Sequence, residues 1–149
     1  MLNKDYKDML SALCQEDVEF LLVGAYAMAA HGHLRATMDI DIWVRPTLDN
    51  ARKLMLALAR FGAPMDGVAL DEFVMKEQVL QIGVVPRRID ILTFASGLDF
   101  SEALANSMET AVDGLKIHVL SIADLVQNKR ATGRLQDLAD VEALEKLNS

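Results

Sequence analysis

At 149 residues, with 52 % apolar and 25 % charged side chains, the chain can bury a sizeable core without disulfide staples. Its net charge of −7 argues against a broad basic surface for nucleic acid, although it leaves room for one specific RNA. The single cysteine, Cys14, excludes an internal disulfide, and no Cys/His cluster has the spacing of a zinc site. No apolar run approaches the ~20 residues of a membrane span, and the charged N-terminus lacks a signal-peptide core, so a reducing cytoplasm is the expected compartment.

In chain order, residues 3–16 have the periodicity of an amphipathic helix, with Tyr6, Met9, Leu10 and Leu13 on one face. Phe20 to Val23 reads as a short apolar strand, followed by Gly24-Ala25 and a helix of small residues to about His31. A second strand runs from Asp39 to Val44 and stops at Pro46. Thr47 is placed to cap a helix from Leu48 to Phe61, striped by Leu54, Leu58 and Phe61, with Gly62 ending it. A short helix is expected around Asp71 to Met75. Val79 to Val84 and Arg88 to Thr93 read as a hairpin turning near Pro86-Arg87, and Ser101 to Ser107 as a helical turn. Asp113-Gly114 joins strands Thr110 to Val112 and Leu115 to Val119. Ser121 caps a helix to Thr132, Gly133 is its C′ residue, and a last helix runs from Leu135 to Leu147. The expected fold class is α/β (α+β): one domain over residues 1–149, with a small mixed sheet flanked by helices.

The most informative stretch is Phe20 to Val44, which sets Asp39 and Asp41 one residue apart inside a strand-forming run. Side chains alternate along a strand, so the two carboxylates share a face while Ile40 and Ile42 point into the core. Neighbouring carboxylates repel, and a hard cation such as Mg²⁺ or Mn²⁺ cancels that repulsion with oxygen ligands. The competing reading is a solvated strand end. Gly24, between a strand and a helix, is either a cradle for phosphate or simply the turn. Asp90, between Ile89 and Ile91, is a third carboxylate; its alternative is an ion pair with Arg35, Arg87 or Arg88. If the three acids and the glycine turn converge, they equip the chain for two-metal phosphoryl chemistry.

The pattern hhhGAxAhxxHGxxRxTxDhDhhh, present as LLVGAYAMAAHGHLRATMDIDIWV, resembles the nucleotidyltransferases of the DNA polymerase β superfamily. Within it the chain looks like the AbiEii-like bacterial group, whose closing helices are similar to SIADLVQNKRATGRLQDLADVEAL, with Lys129, Arg134, Asp137 and Asp140. The usual Gly-Ser or Gly-Gly is Gly24-Ala25 here, so a phosphate-binding hydroxyl is missing, while backbone amides remain. The resemblance implies a nucleotidyltransferase fold and transfer of a nucleoside monophosphate from an NTP to a hydroxyl. Asp39, Asp41 and Asp90 would hold two Mg²⁺ (or Mn²⁺) ions, and Asp90 could also accept the hydroxyl proton. Gly24, Ala25, Arg35, Thr37, Lys129 and Arg134 would form the nucleotide site.

Several residues keep a second reading. Arg35 either neutralises a triphosphate or pairs with the carboxylates, and Thr37 either takes part in the chemistry or fixes the turn before Asp39. Lys129 and Arg134 either line the cleft or complement a helix dipole. Asp137 and Asp140 are expected to bind that basic cluster, and His31 and His33 either touch substrate or hold a loop. By resemblance, the acceptor is an RNA 3′ hydroxyl, a protein or a small molecule, and the setting a toxin–antitoxin pair, with an antitoxin or a second copy as partner. The alternatives are a catalytically silent nucleotide-binding regulatory module, supported by Ala25, and an antitoxin-like subunit that docks a partner. A glycosyltransferase using Asp-x-Asp fits residues 20–37 poorly.

Overall fold

The computed structural model describes residues 2–33, 39–75, 77–84 and 87–147, with the Met75 side chain left aside. Thirteen elements follow one another: α1 (Lys4–Gln15), β1 (Phe20–Val23), α2 (Gly24–Ala30), β2 (Ile40–Val44), α3 (Leu48–Phe61), α4 (Glu72–Met75), β3 (Val79–Ile82), β4 (Ile89–Leu92), α5 (Phe100–Asn106), β5 (Met108–Val112), β6 (Leu115–Val119), α6 (Ile122–Thr132) and α7 (Leu135–Leu147). The strands form one mixed sheet in the order β3-β4-β2-β1-β6-β5. β1 runs antiparallel to β2 and parallel to β6, and β2 runs parallel to β4. The expected mixed sheet flanked by helices is therefore the observed one.

Local chemistry explains most boundaries. Asn3 caps α1 by accepting from the Tyr6 amide at 2.9 Å, and Tyr6, Met9, Leu10 and Leu13 are fully buried. Thr47 and Ser121 cap α3 and α6, while Gly62 and Gly133 end these helices in the left-handed conformation. The hairpin β3–β4 is shorter than expected. Gly83, at φ +85°, turns the chain out of the ladder, so Val84 lies outside the strand and exposed. The turn at Val85 and Pro86 lies outside the described residues. β5 begins earlier than expected, because Met108 and Glu109 continue the antiparallel ladder with Val119 and His118.

Central strand β1 is buried along its whole length, as its uninterrupted apolar run requires. Ile40, Ile42, Ile89 and Ile91 are buried on the core side of the alternating strands. Buried Asn50 fastens the edge of this core. Its Oδ1 accepts from the Glu19 amide at 2.7 Å, and its Nδ2 donates to the carbonyls of Glu19 and Arg45, each at 3.0 Å. One side chain thus ties the first turn of α3 to the start of β1 and the end of β2. Trp43 packs edge-on against Phe100, with centroids 5.1 Å apart, over the far end of the sheet. Among the described residues no helix is long and apolar enough to cross a membrane.

Candidate active site

The register brings the acids together. Asp41 of β2 stands opposite Val23 of β1 on one side and opposite Asp90 of β4 on the other. Opposed residues of parallel neighbours project to the same face, so the Asp41 and Asp90 carboxylates lie side by side. The strand expected from Asp39 begins at Ile40, whose amide donates to the Arg88 carbonyl at 3.0 Å. Asp39 therefore sits just ahead of the ladder, and its Oδ1 accepts from the Arg88 amide at 3.0 Å.

Burial pushes the Asp41 carboxyl up to about 6, assisted by the charge of Asp90, a hydrogen bond with it, and the charge of Asp39; Lys129 works in the opposite direction. The shift reflects first the burial of Asp41 and then its closeness to Asp90. We expect a ¹³C-carboxyl NMR titration of the metal-free protein to show Asp41 with a midpoint near 6. In Asp90→Asn the midpoint should move down yet stay above the ordinary carboxylate value, because burial is the largest cause. A wild-type midpoint near the ordinary value would contradict this electrostatic reading.

Gly24 has a more exacting role than a plain turn. Its φ is +65°, and a Cβ placed there would lie 2.3 Å from Asp41 Oδ2. The residue combines a left-handed backbone with direct contact to a carboxylate, and both conditions select glycine. The first turn of α2 behind it has no side-chain cap, since Val23 occupies that position.

A cleft of about 210 Å³ opens over these residues, lined by Gly24, Asp41, Phe94, Asn128, Lys129 and Arg134 among others. Lys129 is buried, with Nζ 3.2 Å from Asp140 Oδ2 and 3.5 Å from Asp137 Oδ1. Arg134 grips Asp137 with a fork, Nε to Oδ2 at 2.7 Å and Nη2 to Oδ1 at 3.1 Å. That fork is the main reason the Asp137 carboxyl lies well below the usual range, with Thr132 and Lys129 adding to it against burial. Asp137 and Asp140 thus bind the basic cluster, as the spacing predicts, and hold it at the cleft wall. His31 Nε2 lies 2.8 Å from the Leu120 carbonyl and holds the end of β6. Arg35 and Thr37 lie outside the described residues.

Two features escaped the sequence reading. The segment Phe94–Ala95–Ser96 after β4 forms a cleft wall, pinned to α6 where Asn128 Nδ2 donates to the Ser96 carbonyl at 3.0 Å. No local motif announces it, since its partner lies 32 residues away. The other is Arg88, named only as one of three basic alternatives for Asp90. It binds Asp90 through Nε at 2.7 Å and Nη2 at 3.1 Å, and its Nη2 is 3.6 Å from Asp39 Oδ2. In this arrangement no three acidic, histidine or cysteine side chains among the described residues are disposed to hold a metal ion. The three carboxylates expected to hold two ions are instead found with Asp41 beside Asp90 and with Asp39 and Asp90 joined through a guanidinium.

A mixed sheet of this order, with Asp41 and Asp90 paired across its central strands, has the nucleotidyltransferase fold. Among solved structures, a Thermotoga maritima protein described as a proposed nucleotidyltransferase matches with a TM-score of 0.61 at 17 % identity, over 98 % of this chain and 94 % of its own. The antibiotic-resistance factor ANT(2'')-Ia, whose solution structure shows substrate-regulated conformational dynamics, matches with a TM-score of 0.60 at 15 % identity, over 97 % of this chain and 83 % of its own. No protein-family model matches the sequence, and comparison with curated proteins gives no match.

Proposed function

We propose that the protein is a metal-dependent nucleotidyltransferase that moves a nucleoside monophosphate from an NTP to a hydroxyl acceptor and releases pyrophosphate. The observation that carries this reading is the pairing of Asp41 with Asp90 in register, with Gly24 held against the Asp41 carboxylate. The nucleotidyltransferase name given to the Thermotoga maritima fold neighbour agrees with it.

The donor set fits a hard divalent ion. Every donor is a carboxylate oxygen, and the charges of Asp90 and Asp39, which add to burial in raising Asp41, are ones such an ion would offset. Bound Mg²⁺ or Mn²⁺, two ions in the fullest form of the reading, would hold the triphosphate and lower the pKa of the acceptor hydroxyl. Asp41 and Asp90 would serve as ligands from their strands, with Asp39 as the third. Asp90 is also placed as acceptor for the hydroxyl proton. Gly24 and Ala25 offer backbone amides at the uncapped start of α2, in keeping with phosphate binding. Lys129, fixed by Asp137 and Asp140, sets a positive charge at the cleft wall, and Arg134 extends it toward solvent. Arg35 and Thr37 complete the nucleotide site by resemblance. An AbiEii-like role in a toxin–antitoxin pair, with RNA as acceptor, is the finer form of the proposal.

Incubation with Mg²⁺, each α-labelled NTP, and cell extract with or without RNase tests it. Asp39→Ala/Asp41→Ala serves as the control. Label on RNA, protein or a small molecule with wild type alone supports transfer and names the acceptor class. Nucleotide binding without label transfer under any condition would favour the regulatory module instead.

A further inference from the structure

We propose that Arg88 is a built-in stand-in cation: its guanidinium occupies the carboxylate site in the metal-free protein and must leave Asp39 and Asp90 for a divalent ion to bind. The inference rests on the proposed reading of Asp39, Asp41 and Asp90 as a divalent-cation site.

The geometry is specific. Arg88 lies just ahead of β4 and two residues before Asp90, and its guanidinium reaches the Asp90 carboxylate. Both oxygens of Asp90 are engaged by the same fork, Nε to Oδ1 at 2.7 Å and Nη2 to Oδ2 at 3.1 Å. Asp39 is held twice, by the Arg88 amide at 3.0 Å and by Nη2 at 3.6 Å. Two of the three acids therefore already share a positive charge through direct contacts. A metal ion and this guanidinium need the same oxygens and carry the same sign of charge, so they compete. The Arg88 side chain is 27 % exposed, which gives it a path to swing toward solvent without unpacking the core.

A different role for Arg88 predicts the opposite sign. If it only oriented Asp90 while the metal used the remaining lone pairs, its loss would loosen the ligand and weaken metal binding. Competition predicts tighter binding. A site filled by its own arginine nine-tenths of the time has about a tenth of its molecules competent, so the apparent affinity is about tenfold weaker than the intrinsic one.

The experiment is Mn²⁺ binding, followed by electron paramagnetic resonance without nucleotide, in wild type, Arg88→Gln, Arg87→Gln and Asp41→Asn. We expect Arg88→Gln to bind Mn²⁺ about tenfold more tightly than wild type. Arg87→Gln, which removes an equal charge one residue away, should change affinity less than about twofold. Asp41→Asn should bind far more weakly than wild type. Equal or weaker binding in Arg88→Gln, or an equal gain in Arg87→Gln, overturns the stand-in role while leaving the metal site intact. Absence of Mn²⁺ binding in wild type overturns the metal reading and this inference with it. Should Arg88→Gln not fold, the Arg88 Nε–H resonance of wild type gives the answer. It should be shifted and protected without metal, and lose both properties at saturating Mg²⁺. A resonance that stays protected at saturation overturns the proposal.

Discussion

Asp41→Asn should abolish nucleotidyl transfer, by about 10³-fold or more, and at the same time make the metal-free protein more stable at pH 7.5. The loss of activity would follow from removing a carboxylate proposed as a metal ligand, which also neighbours Asp90. The gain in stability follows from the direction of its pKa. Folding raises the Asp41 carboxyl from its ordinary value of 3.8 to about 6. Between those values the native state binds more protons than the unfolded chain, so the contribution of this group falls as pH rises through about 4 to 6 and stays low above it. At pH 7.5 the full penalty is present, and a neutral asparagine removes it. We expect an increase of about 1–2 kcal/mol, below the full conversion of the shift because the variant relaxes too. Thermal unfolding should then occur about 3–6 °C higher. At pH 4 the two proteins should differ little. A variant that keeps its transfer rate, or that is less stable at pH 7.5, would contradict both the assignment and its electrostatic basis.

Gly24→Ala should be the most damaging single-methyl change in the chain. The new Cβ would lie 2.3 Å from Asp41 Oδ2 and 3.2 Å from its Cγ, and the φ of +65° disfavours any L-residue. The short aspartate must swing away or the backbone must shift, and either displaces the carboxylate from Asp90. The backbone conformation alone costs about 1–2 kcal/mol, measurable by urea unfolding. A displacement of about an ångström at a reacting centre costs on the order of 10²-fold in rate. Ala25→Ser is the companion variant. It restores the hydroxyl found in the resembling family, and we expect no loss of stability or transfer. Full activity in Gly24→Ala would remove the argument that this glycine serves the carboxylate.

Much of the architecture was legible because it is local. The Leu48–Phe61 and Ile122–Thr132 helices carry their own caps, and hydrogen bonds a few residues apart end them. The alternation of Asp39, Ile40, Asp41 and Ile42 likewise assigns faces without knowledge of any partner. Less legible were the places where an end depends on a neighbouring strand. Asp39 falls outside its strand because it pairs with the Arg88 amide, and β5 extends to Met108 because β6 continues beside it.

By itself, then, the sequence determined most of the elements, which residues face the core, and that Asp41 and Asp90 stand on strands near a glycine turn, whereas Asp39 lies just ahead of its strand. Tertiary structure alone decided that Asp41 meets Asp90, that Asp41 rests on Gly24, and that Lys129 is held by Asp137 and Asp140 at the cleft wall. It also decided that Arg88 is the residue between Asp39 and Asp90, a choice that composition left open among three arginines. The physical reason is range. Caps and alternation act over one to four residues, whereas pairing Asp41 with Asp90 joins strands whose relative register is set only when their buried faces pack together.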